Sequence, residues 1–180
     1  MPFSRRWLLA AAVLLPGCHS RDRVHVETDE GPPRPATVVT MADLKTAPQL
    51  LSGFYGLEGK SWRWTARNFS VLLAPPASAT QNGAVLKLQL SIPQPLIDRV
   101  KTTALKATVH GADLSPESFT QAGAYTFIRD VPANLFDGDP VKVDFSLDRF
   151  LPAGAVDPRE LGLVVTSVGF EPRKSPLTTP

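Results

Sequence analysis

The sequence predicts an all-β domain, an antiparallel β-sandwich, from three observations. Apolar residues recur at every second position in several stretches, the period of a strand with one buried face. The 18 prolines mark the loops between those stretches, because a missing N–H keeps proline out of central ladder positions. Short strands separated by such loops build sandwiches, and Pro95 to Val100 has the pattern of a helical turn. A jelly-roll-like arrangement of about eight strands is expected, with an immunoglobulin-like order as the alternative.

Along the chain, Thr37 to Met41 and Trp62 to Thr65 are short strand candidates, and Phe69 to Leu73 is a stronger one. Leu86, Leu88, Leu90 and Ile92 alternate with Lys87, Gln89 and Ser91, which defines the next strand. Leu105, Ala107 and Val109 alternate with Lys106, Thr108 and His110, and His110-Gly111-Ala112-Asp113 then turns the chain. Gly123 to Ile128 is a further strand candidate, and Asp137-Gly138-Asp139-Pro140 reads as a turn. In the following strand Val141, Val143, Phe145 and Leu147 face inward, while Lys142, Asp144, Ser146 and Asp148 face water. Arg159-Glu160 is expected to cap a second helical turn. Leu161 to Val168 is nearly continuous in apolar and β-branched residues, which suits a central strand.

The two ends differ from this pattern. Arg5 and Arg6 precede a nine-residue apolar run, Trp7 to Leu15, too short to span a bilayer and of the length of a signal-peptide core. Leu15-Pro16-Gly17-Cys18 then resembles the lipobox of bacterial lipoproteins, whose cysteine is lipidated and becomes the mature N-terminus; Pro16 departs from its usual composition. The resemblance implies a signal over residues 1–18, with the membrane as partner through the Cys18 lipid. His19 stands where an Asp would mark inner-membrane retention, so the resemblance implies the outer membrane, facing the periplasm or the surface. Residues 19–36 carry two valines and no larger apolar side chain, too little to offset ordering entropy, and are expected to form a tether. Residues 37–172 are then the sandwich domain and 173–180 a flexible tail.

Charge and residue inventory exclude several classes of function. The chain has 19 Lys plus Arg against 17 Asp plus Glu, and loss of Arg5 and Arg6 with the signal leaves 17 against 17. No basic stripe remains, so nucleic acid is not an expected partner. The single cysteine, Cys18, cannot close an intramolecular disulfide, and lipidation accounts for it. His19 and His25 lie in the tether and His110 stands alone, so neither a metal nor a cofactor is expected. There is no glycine-rich phosphate loop and no G-x-S-x-G elbow, and an enzyme is not the expected class.

The densest chemistry is Gly53-Phe54-Tyr55, Glu58 and Trp62-Arg63-Trp64-Thr65, with Asp157-Pro158-Arg159-Glu160-Leu161-Gly162-Leu163 much later. These motifs resemble a group of bacterial β-sandwich domains, found alone in lipoproteins and appended to envelope glycan-related proteins. The resemblance spans roughly Leu50 to Phe170 and implies the fold and a loose association with envelope carbohydrate, without an activity. Two readings of Tyr55, Glu58, Trp62, Arg63, Trp64, Asp157 and Arg159 compete. In one, the aromatic rings stack on sugars while Arg and Glu bond their hydroxyls. In the other, which a Trp-x-Trp strand favours, the tryptophans belong to the core and Glu58 pairs with Arg63 or Arg159. Were that pair buried, losing Arg159 would cost on the order of 3–5 kcal/mol. The expected function is a non-catalytic envelope lipoprotein that binds envelope polysaccharide or a protein partner. A structural subunit of an envelope complex is the alternative, and a hydrolase acting on glycan comes third.

Overall fold

The structure is a computed structural model that describes residues 34–173. The leader with Cys18, tether residues 19–33 and tail residues 174–180 lie outside the described residues. The strands are β1 (Val38–Thr40), β2 (Leu50–Glu58), β3 (Trp62–Leu73), β4 (Ala84–Ile92), β5 (Thr103–Val109), β6 (Ala112–Asp113), β7 (Glu117–Phe119), β8 (Gly123–Val131), β9 (Val141–Leu147) and β10 (Val164–Pro172). Two short helices, α1 (Ala79–Asn82) and α2 (Gln94–Val100), flank β4.

Every strand pairing is antiparallel. The hydrogen-bonded order is β6-β5-β9-β3-β10-β4-β8, with β1 beside β10, β2 beside β3 and β7 beside β5. The long strand β3 joins two layers. Its first residues, Arg63 and Trp64, pair with β10, and its later residues, Asn68 to Leu73, pair with β9. The sheet therefore curls on itself, with β5, β9 and the end of β3 in one layer and β10, β4 and β8 in the other. Phe69 and Phe145 stack at 4.8 Å in the first layer, and Phe127 from the second meets Phe145 edge-on at 6.5 Å. The core thus lies between the layers, and the all-β, jelly-roll-like sandwich expected from the sequence is the fold, with ten strands rather than eight.

The alternating sequences form the strands for the reason their period implies. Val141, Val143, Phe145 and Leu147 are buried, as are Leu86, Leu88, Leu90 and Ile92, and burying each large apolar side chain stabilises by about 1.5–3 kcal/mol. His110 and Gly111 both take positive φ, 46° and 80°, the geometry of the tight hairpin turn that joins β5 to β6. Leu96 and Ile97 of α2 are buried and close one end of the core.

Four expectations need correction. The strands β2, β6 and β7 were not anticipated: β6 and β7 are only two and three residues long, and in β2 three register shifts against β3 break the alternation. Trp62 to Thr65 and Phe69 to Leu73 are parts of one twelve-residue strand. The last strand starts at Val164 rather than Leu161, although it is central as expected, flanked by β4 on one side and by β1 and β3 on the other. No helix begins at Arg159-Glu160, and residues 161–163 are instead drawn straight along β3.

Thr65 draws them there. Its N–H donates to the Leu163 carbonyl at 2.8 Å, and its own carbonyl accepts from the Gly162 N–H at 2.7 Å. Its hydroxyl accepts from the Leu163 N–H at 3.0 Å, and the residue is fully buried. The approach is so close that a Cβ on Gly162 would sit 2.6 Å from Leu147 Cδ1, 2.8 Å from Thr65 Oγ1 and 2.9 Å from the Ala66 carbonyl. Gly162→Ala should therefore destabilise the domain by roughly 1–3 kcal/mol, as overpacking does. Gly154→Ala, on an exposed loop with its nearest neighbour at 4.0 Å, should stay within about 0.5 kcal/mol. Chemical denaturation of both variants checks this, and equal midpoints would contradict the clasp.

Candidate functional site

The structure brings together most of the residues singled out by sequence. The β2–β3 hairpin carries Tyr55, Glu58, Trp62, Arg63 and Trp64, and the loop before β10 carries Asp157 and Arg159. Arg159 is the hub. Its Nε and Nη2 donate to the two oxygens of Asp157 at 3.0 and 2.9 Å, a bidentate pair, and its Nη1 donates to Glu58 at 2.9 Å. The guanidinium lies 5.2 Å from the centre of the Tyr55 ring, and the Tyr55 hydroxyl donates to the Glu160 carbonyl at 2.6 Å. Glu160 in turn accepts from the Arg67 N–H at 2.6 Å, so the loop is fastened to both strands of the hairpin.

Of the two partners expected for Glu58, Arg159 is the one it takes. Arg63 turns the other way, donating from Nη1 to the Tyr55 carbonyl at 2.8 Å, and its Nε is buried with no partner among the described residues. The Arg159–Glu58 pair is also not buried: the two side chains are 33% and 36% exposed. Water therefore solvates Glu58 when Arg159 is removed, and the multi-kilocalorie penalty of an orphaned buried charge does not apply.

The tryptophans depart furthest from expectation. Both are half-buried, and neither belongs to the core. Trp64 pairs with Val164, in line with Ser91 and Ala124, and so shares their outer face, and Trp62, two residues before it, lies on the same side. The two rings meet edge-to-face at 6.4 Å, and Trp62 lies over Gly59, where a Cβ would come within 2.5 Å of its Nε1.

Beside them the outer face continues across three more strands. Trp64 sits opposite Val164, Val164 opposite Ser91, and Ser91 opposite Ala124. The next row is Thr40, Ser167, Gln89 and Thr126. A recess of about 320 Å³ opens on this face, lined by Gln89, Ser91, Ala124, Thr126 and Thr166 together with Leu90 and Tyr125. Sequence alternation had marked Gln89 and Ser91 only as a wet face, and it carried no signal that aligned them with Trp64. A second recess, about 530 Å³, lies on the other layer between Arg67, Asn68, Lys106, Ser146 and Asp148. Among the described residues no three His, Cys, Asp or Glu are grouped to hold a metal ion, and no helix is long and apolar enough to cross a membrane.

No protein family and no curated protein matches the chain. Among solved structures it is similar to an acetyl xylan esterase (Est2A) from the rumen bacterium Butyrivibrio proteoclasticus. The identity is 12% and the TM-score 0.44, over 78% of this chain and 34% of that one. The chain thus spans about a third of the esterase's length, and the likeness assigns it no activity.

The electrostatics of the hub are directional. Hydrogen bonds from the Arg159 side chain and then its N–H hold the Asp157 carboxyl below its ordinary 3.8, and the two carboxylates push the guanidinium up. A depressed carboxyl stabilises the fold above its unfolded value and loses that contribution as pH falls through the folded one. Arg159→Ala should lower the melting temperature by about 3 °C at neutral pH. The gap from the parent should narrow in acid, as pH falls through the lowered titration range of the Asp157 carboxyl. Melting curves at neutral and acid pH check this. A gap that persisted in acid would place the loss in packing instead.

Proposed function

We propose that this chain is a non-catalytic binding module, held at the bacterial cell envelope by a lipid on Cys18, that binds glycan on the outer face of the β3–β10–β4–β8 layer. The observation that carries the reading is the outward placement of Trp62 and Trp64. Two large rings off the core, each partly open to water, form a surface on which the apolar faces of sugar rings can pack. Had they filled the core, as expected, the cluster would have been structural throughout. The polar half of the cluster supports that surface, since Arg159, Glu58 and Tyr55 fasten the hairpin that bears both rings.

The envelope location rests on the leader. Leu15-Pro16-Gly17-Cys18 resembles a lipobox, and residues 19–36 are polar enough to serve as a spacer between lipid and domain. Acyl chains add about 0.8 kcal/mol per buried methylene, and more than one chain makes the anchoring stable. Cys18→Ala should leave an unprocessed precursor without incorporated lipid. Normal processing and labelling of that variant, in a gel of metabolically labelled cells, would end the lipoprotein reading.

The binding face has its own test. The chain has three tryptophans, and Trp7 is in the leader, so emission from the processed protein comes from Trp62 and Trp64. Titration with solubilised envelope polysaccharide should shift that emission to the blue. An unchanged spectrum alongside retention on the polysaccharide would move the contact elsewhere. A protein neighbour captured by a photo-crosslinker beside Trp64, with no polysaccharide retained, would favour the assembly-subunit alternative.

A further inference from the structure

The outer face beside Trp64 is uniform in one chemical respect. Its first two rows are Trp64, Val164, Ser91 and Ala124, then Thr40, Ser167, Gln89 and Thr126, and none of these carries a charge. Charge flanks these rows on two sides: Lys87 pairs with Glu171 and Arg173 with Asp130 in the rows beyond, and at the hairpin Glu58, opposite Trp62, is neutralised by Arg159. The recess lies in the uncharged rows. Thr166 donates to the Gln89 carbonyl at 3.4 Å, while the side chains of Gln89, Ser91 and Thr126 carry no hydrogen bond among the described residues. Two hydroxyls and a carboxamide, each both donor and acceptor, therefore face solvent within one recess. From Trp64 to Ala124 the row crosses three strand spacings, about 14 Å, which is room for more than one linked sugar ring.

We propose that this face takes a neutral glycan laid across the strands, with one ring packed on Trp64 and the next bonded by Ser91, Gln89 and Thr126. The proposal rests on the glycan-binding reading above and adds the class of sugar. Neutral hydroxyls match donors and acceptors of the same kind, and the aromatic wall matches the apolar face of a pyranose. An acidic sugar would bury a carboxylate with no cation in either row to meet it, a desolvation the site does nothing to offset. The other layer offers the contrast. Lys106 and Arg67 line its recess, where an anion would find a counter-charge.

The test is a printed array of defined neutral and acidic oligosaccharides, probed with the full chain in detergent micelles and with the variants Trp64→Ala, Ser91→Glu and Lys106→Ala. Neutral glycans should be retained, with affinity unchanged by added salt, since no ion pair is involved. Trp64→Ala and Ser91→Glu should each weaken retention at least tenfold, while Lys106→Ala leaves it as it was. Circular dichroism of each variant would separate loss of the face from loss of the fold, and Gln89→Ala serves as the second variant should Ser91→Glu fail to fold. Retention confined to uronate- or phosphate-bearing glycans, or dependent on Lys106, would overturn the neutral assignment and leave the glycan reading standing. Neutral retention indifferent to Trp64 would overturn this face as the site. No retention of any glycan by a folded chain would remove both.

Discussion

A strand that belongs to two layers must satisfy its backbone where it leaves one partner for the next, and Thr65 is where this sandwich meets that demand. Up to Trp64, β3 bonds to β10, and from Asn68 onward it bonds to β9. In the gap the N–H, carbonyl and hydroxyl of Thr65 all engage Gly162 and Leu163. A buried backbone group left without a partner would cost about 1–3 kcal/mol, so the connection into β10 cannot coil away as a helix. Only a residue without a Cβ can lie at position 162, and only a buried hydroxyl at position 65 can reach the Leu163 N–H. Much of the R-W-T and L-G-L character of the two motifs follows from this single crossing.

The remaining motif residues extend the same fastening outward. Gly53, at a φ of +72°, lies where a Cβ would overlap the Asn68 carbonyl, so β2 can run tight against β3. Arg159 then ties Asp157 to Glu58 across the end of the hairpin. Surface ion pairs of this kind contribute little stability singly. What a bidentate fork supplies is direction, because it fixes the angle at which the loop meets the hairpin. With the hairpin so held, its outward residues keep one position relative to β10, β4 and β8, and a rigid strand is a better platform for a binding surface than a loop.

Much of the fold was legible because period two survives wherever the ladder is regular. β4, β5 and β9 read directly from alternation, and apart from Thr103 at the start of β5 their buried positions are the apolar ones. The strand β2 was illegible because its register shifts against β3 three times, so its inward positions do not fall on alternate residues. The tryptophans are more instructive. Phe69, Val71 and Leu73 set the inward phase of the later half of β3, but Arg67 is exposed, Ser70 is buried, and β3 slips against β2 between Ser70 and Thr65, so that phase does not carry back to the tryptophans. Their outward side comes from the pairing of Trp64 with Val164, a long-range register that alternation within one strand cannot show.

The same parity explains how one motif holds two kinds of chemistry. Along Trp62-Arg63-Trp64-Thr65 the odd residues face the joint between layers, and both make backbone hydrogen bonds there, Arg63 to the Tyr55 carbonyl and Thr65 to the β10 connection. The even residues face out and make none of these bonds. The inward pair answers to the geometry of the crossing, which admits few substitutes. The outward pair is free of that demand, so the fold does not explain why both residues are tryptophan. Each ring is nonetheless more than half buried, Trp62 over Gly59 and the two edge-to-face, so part of their area holds the hairpin and the remainder is left on the outer face.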